Sequence, residues 1–384
     1  MATRTQGSTG AAEIDPALDR RLMAAALRIG RRNLGQTHPN PAVGALVVRT
    51  DAPAPLVVGR GWTATGGRPH AEVLALAEAG GAARGATVYV TLEPCAHEGK
   101  TPPCANALVA AGVARVVSAI EDPDERVAGK GHQLLRSAGV AVTTGVLADQ
   151  ARLTHAGHIS RVTRGRPHVV LKLAVSADGM IGRREGERMI ITGRAAFEAV
   201  QAMRVESDAI MIGIGTALVD DPRLTIRLPG LAGRTPERIV LDATARLRLN
   251  SNLIQTAREV PLIVVVGPEA LEERKTALAD AGARIMEVGD GPGGVNIHEV
   301  FKRLAEDGIT RVLVEGGAQL ASTLVAEDIL DEVVLFRAPV VVGPDGVRAL
   351  GGYALSAIER SPRYRQIETA LVGEDQMRRY LRAA

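Results

Sequence analysis

A chain of 384 residues, 46% of them hydrophobic, suits two or three domains at about 150 residues each. No apolar run is long enough to span a bilayer. The small, polar stretch Met1–Gly10 lacks the apolar core of a signal peptide, so a disordered tail (residues 1–15) on a cytoplasmic protein is expected. A net charge of +3 and 2% aromatic residues argue against a nucleic-acid track or a base-stacking platform and favour an anionic small molecule.

Asp15-Pro16 reads as a helix N-cap followed by proline at the first helical position. Leu18, Leu22, Ala26 and Ile29 continue at helical spacing until Gly30 or Gly35. His38-Pro39-Asn40-Pro41 makes a turn at the entrance of a buried strand, Val43–Val48. The Asn40 carboxamide also offers a donor and an acceptor to a polar ring or ribose, although a turn alone is the commoner role. Leu56–Gly59 and Gly61-Trp62 complete a hairpin, and Thr65–Pro69 breaks regular structure. Helical spacing resumes with His70, Val73, Leu74 and Ala77, placing His70 and Glu72 in a first turn. Thr87–Leu92 is a strand with Cys95 just past its end. Thr101 as N-cap, Pro102 as first helical residue and Gly112 as stop put Cys104 in another first turn, where the macrodipole favours a thiolate. A strand at Ala114–Ile120, a helix at 132–138 and a strand at 140–145 complete an alternating β/α pattern.

His70, Glu72, Cys95 and Cys104 form a pattern of chemical consequence. A disulfide between the two cysteines is the bland alternative, and reduced cytoplasmic thiols argue against it. One imidazole and two thiolates make a three-ligand set that leaves a zinc position open to water. H-x-E followed by P-C and a second cysteine is the signature of zinc deaminases acting on nucleobase-like rings, in which the glutamate moves protons without binding metal. Zinc in such a set lowers the pKa of a coordinated water, preparing it to attack a ring carbon that bears an exocyclic amine. Glu72 is the proton carrier and His97 a competing ligand, ranked below His70.

Residues 147–166 read as a helix or linker rich in Arg and His, after which the second half also alternates. Strands are expected at 168–176, 208–213, 238–242, 262–266, 284–287 and 311–315, a helix at 193–205, and closing β segments at 332–342 and 363–382. Gly213-Ile-Gly-Thr216 and Glu315-Gly-Gly317 place glycines at strand ends before helices, where backbone N–H groups can approach a phosphate. No G-x-G-x-x-G is present, so a standard dinucleotide site is not expected.

Several motifs together are specific. His38-Pro-Asn-Pro41, His70-Ala-Glu72, Thr91-Leu-Glu-Pro-Cys95 through Thr101-Pro-Pro-Cys104, and Asp122-Pro123 with Val127-Ala-Gly-Lys-Gly131 resemble the family of bifunctional diaminohydroxyphosphoribosylaminopyrimidine deaminase / 5-amino-6-(5-phosphoribosylamino)uracil reductases of riboflavin biosynthesis. Lys172–Gly179, Gly213–Arg227 and Val314–Gly317 resemble its reductase half, so the likeness covers about residues 16–384. It implies an α/β architecture: a cytidine-deaminase-like three-layer domain at 16–146, a linker at 147–166 and a dihydrofolate-reductase-like domain at 167–384. It implies one zinc on His70, Cys95 and Cys104, with Glu72 as proton donor, and Asn40, His97, Lys100 and Asp122 around the pyrimidine ribose phosphate. Lys100 also suits phosphate by charge. NADPH is implied at Ala174, Thr216, Asp220 and the run Gly317, Ala318, Gln319, Leu320, Ala321, Ser322 and Thr323. The reductase substrate falls at Arg204, Leu224, Arg227 and Glu315, the arginines suiting phosphate through bidentate pairing. As bland alternatives, these arginines are solvated helix-face charges, a reading more reasonable for Arg204 than for Arg227.

Three positions depart from the family. Asp124 stands where Asn is frequent, Arg188 replaces a small hydroxyl residue, and Ile190 replaces an aromatic one beside the cofactor. Arg188 is a further phosphate candidate. A homo-oligomer acting on a phosphorylated ribosylaminopyrimidine, without nucleic acid or membrane, is expected. The rivals are a deaminase of another pyrimidine or RNA base carrying a degenerate reductase-like domain, and a zinc-stabilised binding module. The eight-residue spacer between Cys95 and Cys104, where nucleic-acid deaminases have two residues, counts against an RNA base.

Overall fold

The computed structural model describes residues 15–51, 54–97, 102–183 and 189–383. The chain divides into two compact units, one of residues 1–32, 42–63 and 69–154, the other of 33–41, 64–68 and 155–384. Two short loops of the N-terminal half, 33–41 and 64–68, therefore belong to the second unit.

In the first unit, α1 (Pro16–Gly30) starts as expected, with the Asp15 carboxylate accepting from the Ala17 N–H at 2.9 Å. Strands β1 (Gly44–Arg49) and β2 (Leu56–Trp62) form the expected antiparallel hairpin. Helix α2 (Ala71–Ala79) leads to β3 (Thr87–Val90), α3 (Cys104–Ala110), β4 (Arg115–Ser118), α4 (Lys130–Ser137) and β5 (Ala141–Thr144). The sheet order is β2-β1-β3-β4-β5, with β3, β4 and β5 parallel. Parallel neighbours end on one edge, so the turns after β3 and β4 lie together there. Helix α5 (Ala148–Thr154) closes the unit.

One boundary was misread. Helix α3 begins at Cys104 with Pro103 as its N-cap, so Pro102 is not helical. Pro103 is the cause: its ring disfavours the helical region for the residue before it. Thr101, Lys100 and Arg188 lie outside the described residues.

The second unit opens with α6 (Ala156–Arg164), so residues 147–166 are two short helices rather than one helix or a linker. It continues through β6 (His168–Val175), β7 (Met180–Arg183), α7 (Arg194–Val205), β8 (Ala209–Gly213), α8 (Ile214–Asp220), β9 (Glu237–Leu241) and α9 (Asn252–Gln255). There follow β10 (Leu262–Val266), α10 (Glu272–Asp280), β11 (Arg284–Glu287), α11 (Ile297–Glu306), β12 (Arg311–Val314), α12 (Ala318–Ala326) and β13 (Glu332–Arg337). The chain ends with β14 (Gly346–Arg348), α13 (Ser356–Glu359), β15 (Tyr364–Val372) and β16 (Asp375–Arg382). Nine strands form one sheet, ordered β11-β10-β9-β8-β12-β6-β13-β16-β15, parallel up to β13 and antiparallel beyond. The expected segment 332–342 is strand only to Arg337, and 363–382 is a hairpin turning at Gly373, whose φ is +64°. The central strands are buried on both faces, as continuous Val/Ile/Leu runs demand. Among the described residues no helix is long and apolar enough to cross a membrane.

One buried carboxylate ties the start of β6 to that of β13. Asp331 accepts from Arg166 Nη2 at 2.8 Å and from the Val169 N–H at 2.9 Å, and it pairs with Arg164. Although burial alone would raise it, Arg166 and His168 hold its carboxyl below the usual range. Asp331→Ala leaves buried donors unpaired and is expected to cost about 3 kcal/mol, read as a lower urea midpoint at unchanged slope. Because the native pKa is depressed, this contribution is full above the unfolded value of about 4 and fades as pH falls through the lower native one. The difference between wild type and variant should therefore shrink below about pH 4.

Candidate active sites

The three expected metal ligands come together. His70 is the N-cap of α2, Cys95 follows β3 and Cys104 opens α3. Their ligand atoms all lie within 4.8 Å of one another, with His70 Nδ1 3.3 Å from Cys104 Sγ and 3.7 Å from Cys95 Sγ. The Cys104 backbone N–H points at Cys95 Sγ at 3.3 Å, so the start of α3 faces the sulfur it helps to charge. His97, the competing ligand, is not in this cluster, and its buried Nδ1 has no hydrogen-bond partner among the described residues.

Electrostatics argue that the cluster fits a divalent cation. Cys95 falls to about 4, mainly because Cys104 donates to it and His70 faces it. The interaction with Cys95, burial and the Glu72 charge push the Cys104 thiol up. Burial and then the Cys95 charge raise Glu72, buried on the first turn of α2, to about 7. Three acidic groups thus oppose one another's ionisation in one buried space. A divalent cation between the sulfurs and the imidazole relieves that conflict, and two soft thiolates with one imidazole favour zinc.

The other deaminase candidates are placed differently. Asp122 is buried just beyond β4 and accepts from the Asp124 N–H through Oδ1 at 3.0 Å. Asp124 is paired with Arg126, whose Nε lies 2.9 Å from Oδ1, so its charge is neutralised locally. Asn40 donates from Nδ2 to the Gly67 carbonyl at 2.8 Å, within the two loops that belong to the second unit. Gly67 has φ +85°, and a Cβ there would sit 2.5 Å from Asn40 Nδ2, so only glycine lets the carboxamide lie in place.

The second unit has its own site at the C-terminal ends of β8, β12 and β9. A cavity of about 680 Å³ is lined by Thr216, Asp220, Gly317, Ala318, Gln319, Leu320 and Thr323 from the expected cofactor set. Ala174, Ser322 and Ala321 do not line it, and Ala321 is fully buried in the core. Gly213 and Gly317 cap α8 and α12 and bring the two helix starts to one groove. Thr244 and Arg246, beyond β9, also line the cavity and were missed. No motif marks them, because they reach the groove only through strand order.

Glu315 is held bidentately by Arg204, Nε to Oε1 at 2.6 Å and Nη2 to Oε2 at 2.9 Å, while Arg204 Nη1 donates to the Thr225 carbonyl. Arg204 is therefore a buried ion-pair partner, not a solvated helix-face charge. Burial alone would raise Glu315; Arg204 and Lys172 hold it below the usual carboxylate range. Lys172, beside this pair, is lowered by burial against the pull of Glu315. It opens the Lys172–Gly179 motif, on a strand buried on both faces. Leu224, buried, has φ +52°, an outlier for a branched residue and a mark of a constrained turn. Arg227 donates its backbone N–H to Gln201 and lays its guanidinium over Phe197, 4.7 Å from the ring centroid. Ile190 is 84% exposed.

Known proteins place both halves. Residues 16–120 match the cytidine and deoxycytidylate deaminase zinc-binding region, and residues 167–377 match the RibD C-terminal domain. The riboflavin biosynthesis protein RibD of Aquifex aeolicus is 36% identical over 93% of this chain and 97% of its own length. That of Escherichia coli is 36% identical over 93% and 97%. Among solved structures, Acinetobacter baumannii RibD superposes with TM-score 0.84 at 35% identity, covering 96% of this chain and all of that one. A diaminohydroxyphosphoribosylaminopyrimidine deaminase/5-amino-6-(5-phosphoribosylamino)uracil reductase from Thermotoga maritima gives 0.82 at 30% identity, covering 96% and 99%. With the deaminase zinc-binding region matched in one half, the RibD C-terminal domain in the other and such relatives along nearly its whole length, the chain belongs to the RibD family of bifunctional deaminase–reductases of riboflavin biosynthesis.

Proposed function

We propose that residues 16–146 hydrolyse the ring amine of 2,5-diamino-6-ribosylamino-4(3H)-pyrimidinone 5′-phosphate, and that residues 167–384 then reduce its ribosylamino group to ribitylamino. The observation that carries the first step is the His70–Cys95–Cys104 cluster with the buried Glu72 beside it. When bound, zinc supplies an activated water. Glu72, near neutrality by burial, takes a proton and returns it to the ring nitrogen and the departing ammonia. Within the first unit Asp122, His97 and Lys100 hold the pyrimidine and its ribose phosphate; the buried Nδ1 of His97, without a hydrogen-bond partner among the described residues, suits that role.

When bound in the groove, NADPH supplies hydride for the ribosylamino C1′. Thr216, Asp220 and the start of α12 orient it, and Arg204, Leu224, Arg227 and Glu315 set the substrate against it. We assign the phosphate to Arg227, whose guanidinium lies over the Phe197 ring and within electrostatic reach of Glu315; Arg188 is a second candidate. The enzyme acts in the cytoplasm as a homo-oligomer; that its substrate is a free phosphorylated pyrimidine rather than nucleic acid is supported by 2% aromatic content and near-balanced charge.

The test is sequential. Purified protein given the diaminopyrimidine phosphate should release ammonia without NADPH and oxidise NADPH only afterwards. No ammonia from zinc-replete protein refutes the deaminase step, and NADPH oxidation ahead of ammonia release refutes the order. Arg227→Ala should raise the reductase KM by about 10- to 100-fold, the worth of one charge-assisted contact, and leave ammonia release unchanged.

A further inference from the structure

Glu93, two residues before Cys95, is buried and outside the reaction described above, yet it spends its whole carboxylate on one loop. Strands β3 and β4 run parallel with Val90 opposite Ser118, and the ladder continues past them, Ala119 N–H to Val90 O at 3.1 Å and Glu93 N–H to Ile120 O at 3.0 Å. Beyond that point the Glu93 side chain takes over. Its Oε2 accepts from the Asp122 N–H at 3.2 Å and the Gly129 N–H at 2.9 Å, and its Oε1 from the His132 N–H at 3.1 Å.

These donors lie at both ends of the loop 121–132. Gly129 is the N-cap of α4, has φ +80° and brings no side chain to cap the helix. His132 is the third residue of α4, so Glu93 satisfies helix-start N–H groups that a cap residue would ordinarily serve, at the positive end of the dipole. The fit is tight: a Cβ on Gly131 would sit 2.0 Å from the Pro94 carbonyl oxygen and 3.1 Å from Glu93 Oε1.

Glu93, Glu121 and His132 also lie close enough to hold a metal ion, with ligand atoms within 4.8 Å. That reading is weaker. Three backbone donors already occupy the Glu93 oxygens, and His132 Nδ1 stands 3.8 Å away. The cluster is a clamp on a loop.

We propose that Glu93 is a positioning residue for the deaminase step: it fixes Asp122 and the 121–132 loop to the turn that carries Cys95, and so sets the affinity for the pyrimidine substrate. This rests on the assignment of Asp122 to substrate contact. Glu93→Gln keeps the shape but turns one acceptor into a donor facing an N–H. It should raise the KM of ammonia release about 10-fold, the equivalent of one buried unsatisfied group, with a much smaller change in kcat. Zinc should stay at one per chain, and the same preparation should reduce pre-formed deaminated substrate at the wild-type rate, which reports that the chain is folded. Asp122→Asn should raise the same KM, and the double variant should be no worse than the poorer single one, since both act through one contact.

An unchanged KM in Glu93→Gln, with Asp122→Asn impaired, overturns the proposal and leaves the Asp122 assignment standing. An unchanged KM in Asp122→Asn overturns the assignment and the proposal with it. Zinc lost in step with activity in Glu93→Gln, or two zinc ions per wild-type chain with one lost in the variant, also overturns it.

Discussion

Glu72→Gln should lower ammonia release by about 10²- to 10⁴-fold, the usual worth of a general acid–base group, while zinc content and NADPH oxidation on deaminated substrate stay at wild-type levels. Glutamine preserves the volume and the hydrogen-bonding reach of the side chain but exchanges no proton. Burial and then the Cys95 charge raise Glu72 to about 7. An ordinary exposed glutamate, at about 4.3, would accept a proton less readily. The side chain sits on the first turn of α2, one residue inside the helix from Ala71 and two from the N-cap His70, so backbone geometry holds the proposed carrier and the proposed metal ligand together. A Glu72→Gln variant that released ammonia at the full rate would remove Glu72 from the proton pathway.

Metal removal should have the larger effect. Dialysis against a chelator, or Cys104→Ser, should cut ammonia release by at least about 10³-fold, because water without catalytic zinc keeps a pKa some 8 units higher. Re-added zinc should restore the dialysed wild type and not the variant. The reductase should be indifferent to both treatments, since its groove is built from the second unit alone. Zinc measured by atomic emission should fall from one per chain to none in parallel with the rate. Ammonia release that survived complete removal would contradict a catalytic metal, and four protein ligands around a closed metal would favour a structural site.

Local signals explain which parts of the chain were readable. The Asp15-Pro16 helix start, the β1–β2 hairpin and the placement of His70, Cys95 and Cys104 at element ends all depend on residues within a few positions of one another, and all are present in the structure. The start of α3 was misjudged by two residues because Pro102 looks like a first helical residue until Pro103 is weighed. The 363–382 segment likewise hid a turn at Gly373, inside an otherwise strand-like run.

A pattern that depends only on residue type and short spacing, the His70, Cys95 and Cys104 set with Glu72 beside it, could be read from the letters of the chain, and the structure brings those ligand atoms within 4.8 Å of one another. Which distant groups meet could not. Arg204 and Glu315 are 111 residues apart and join because α7 passes the end of β12. Glu93 reaches Gly129 across 36 residues because β3 and β4 are parallel neighbours. The loops 33–41 and 64–68, Asn40 and Gly67 among them, belong with the second unit although both lie in the N-terminal half. Such pairings follow from strand order and the side of the sheet on which each crossover packs. Those are properties of the whole folded chain, since burying the Val/Ile/Leu strands on both faces is possible only when all of them are assembled.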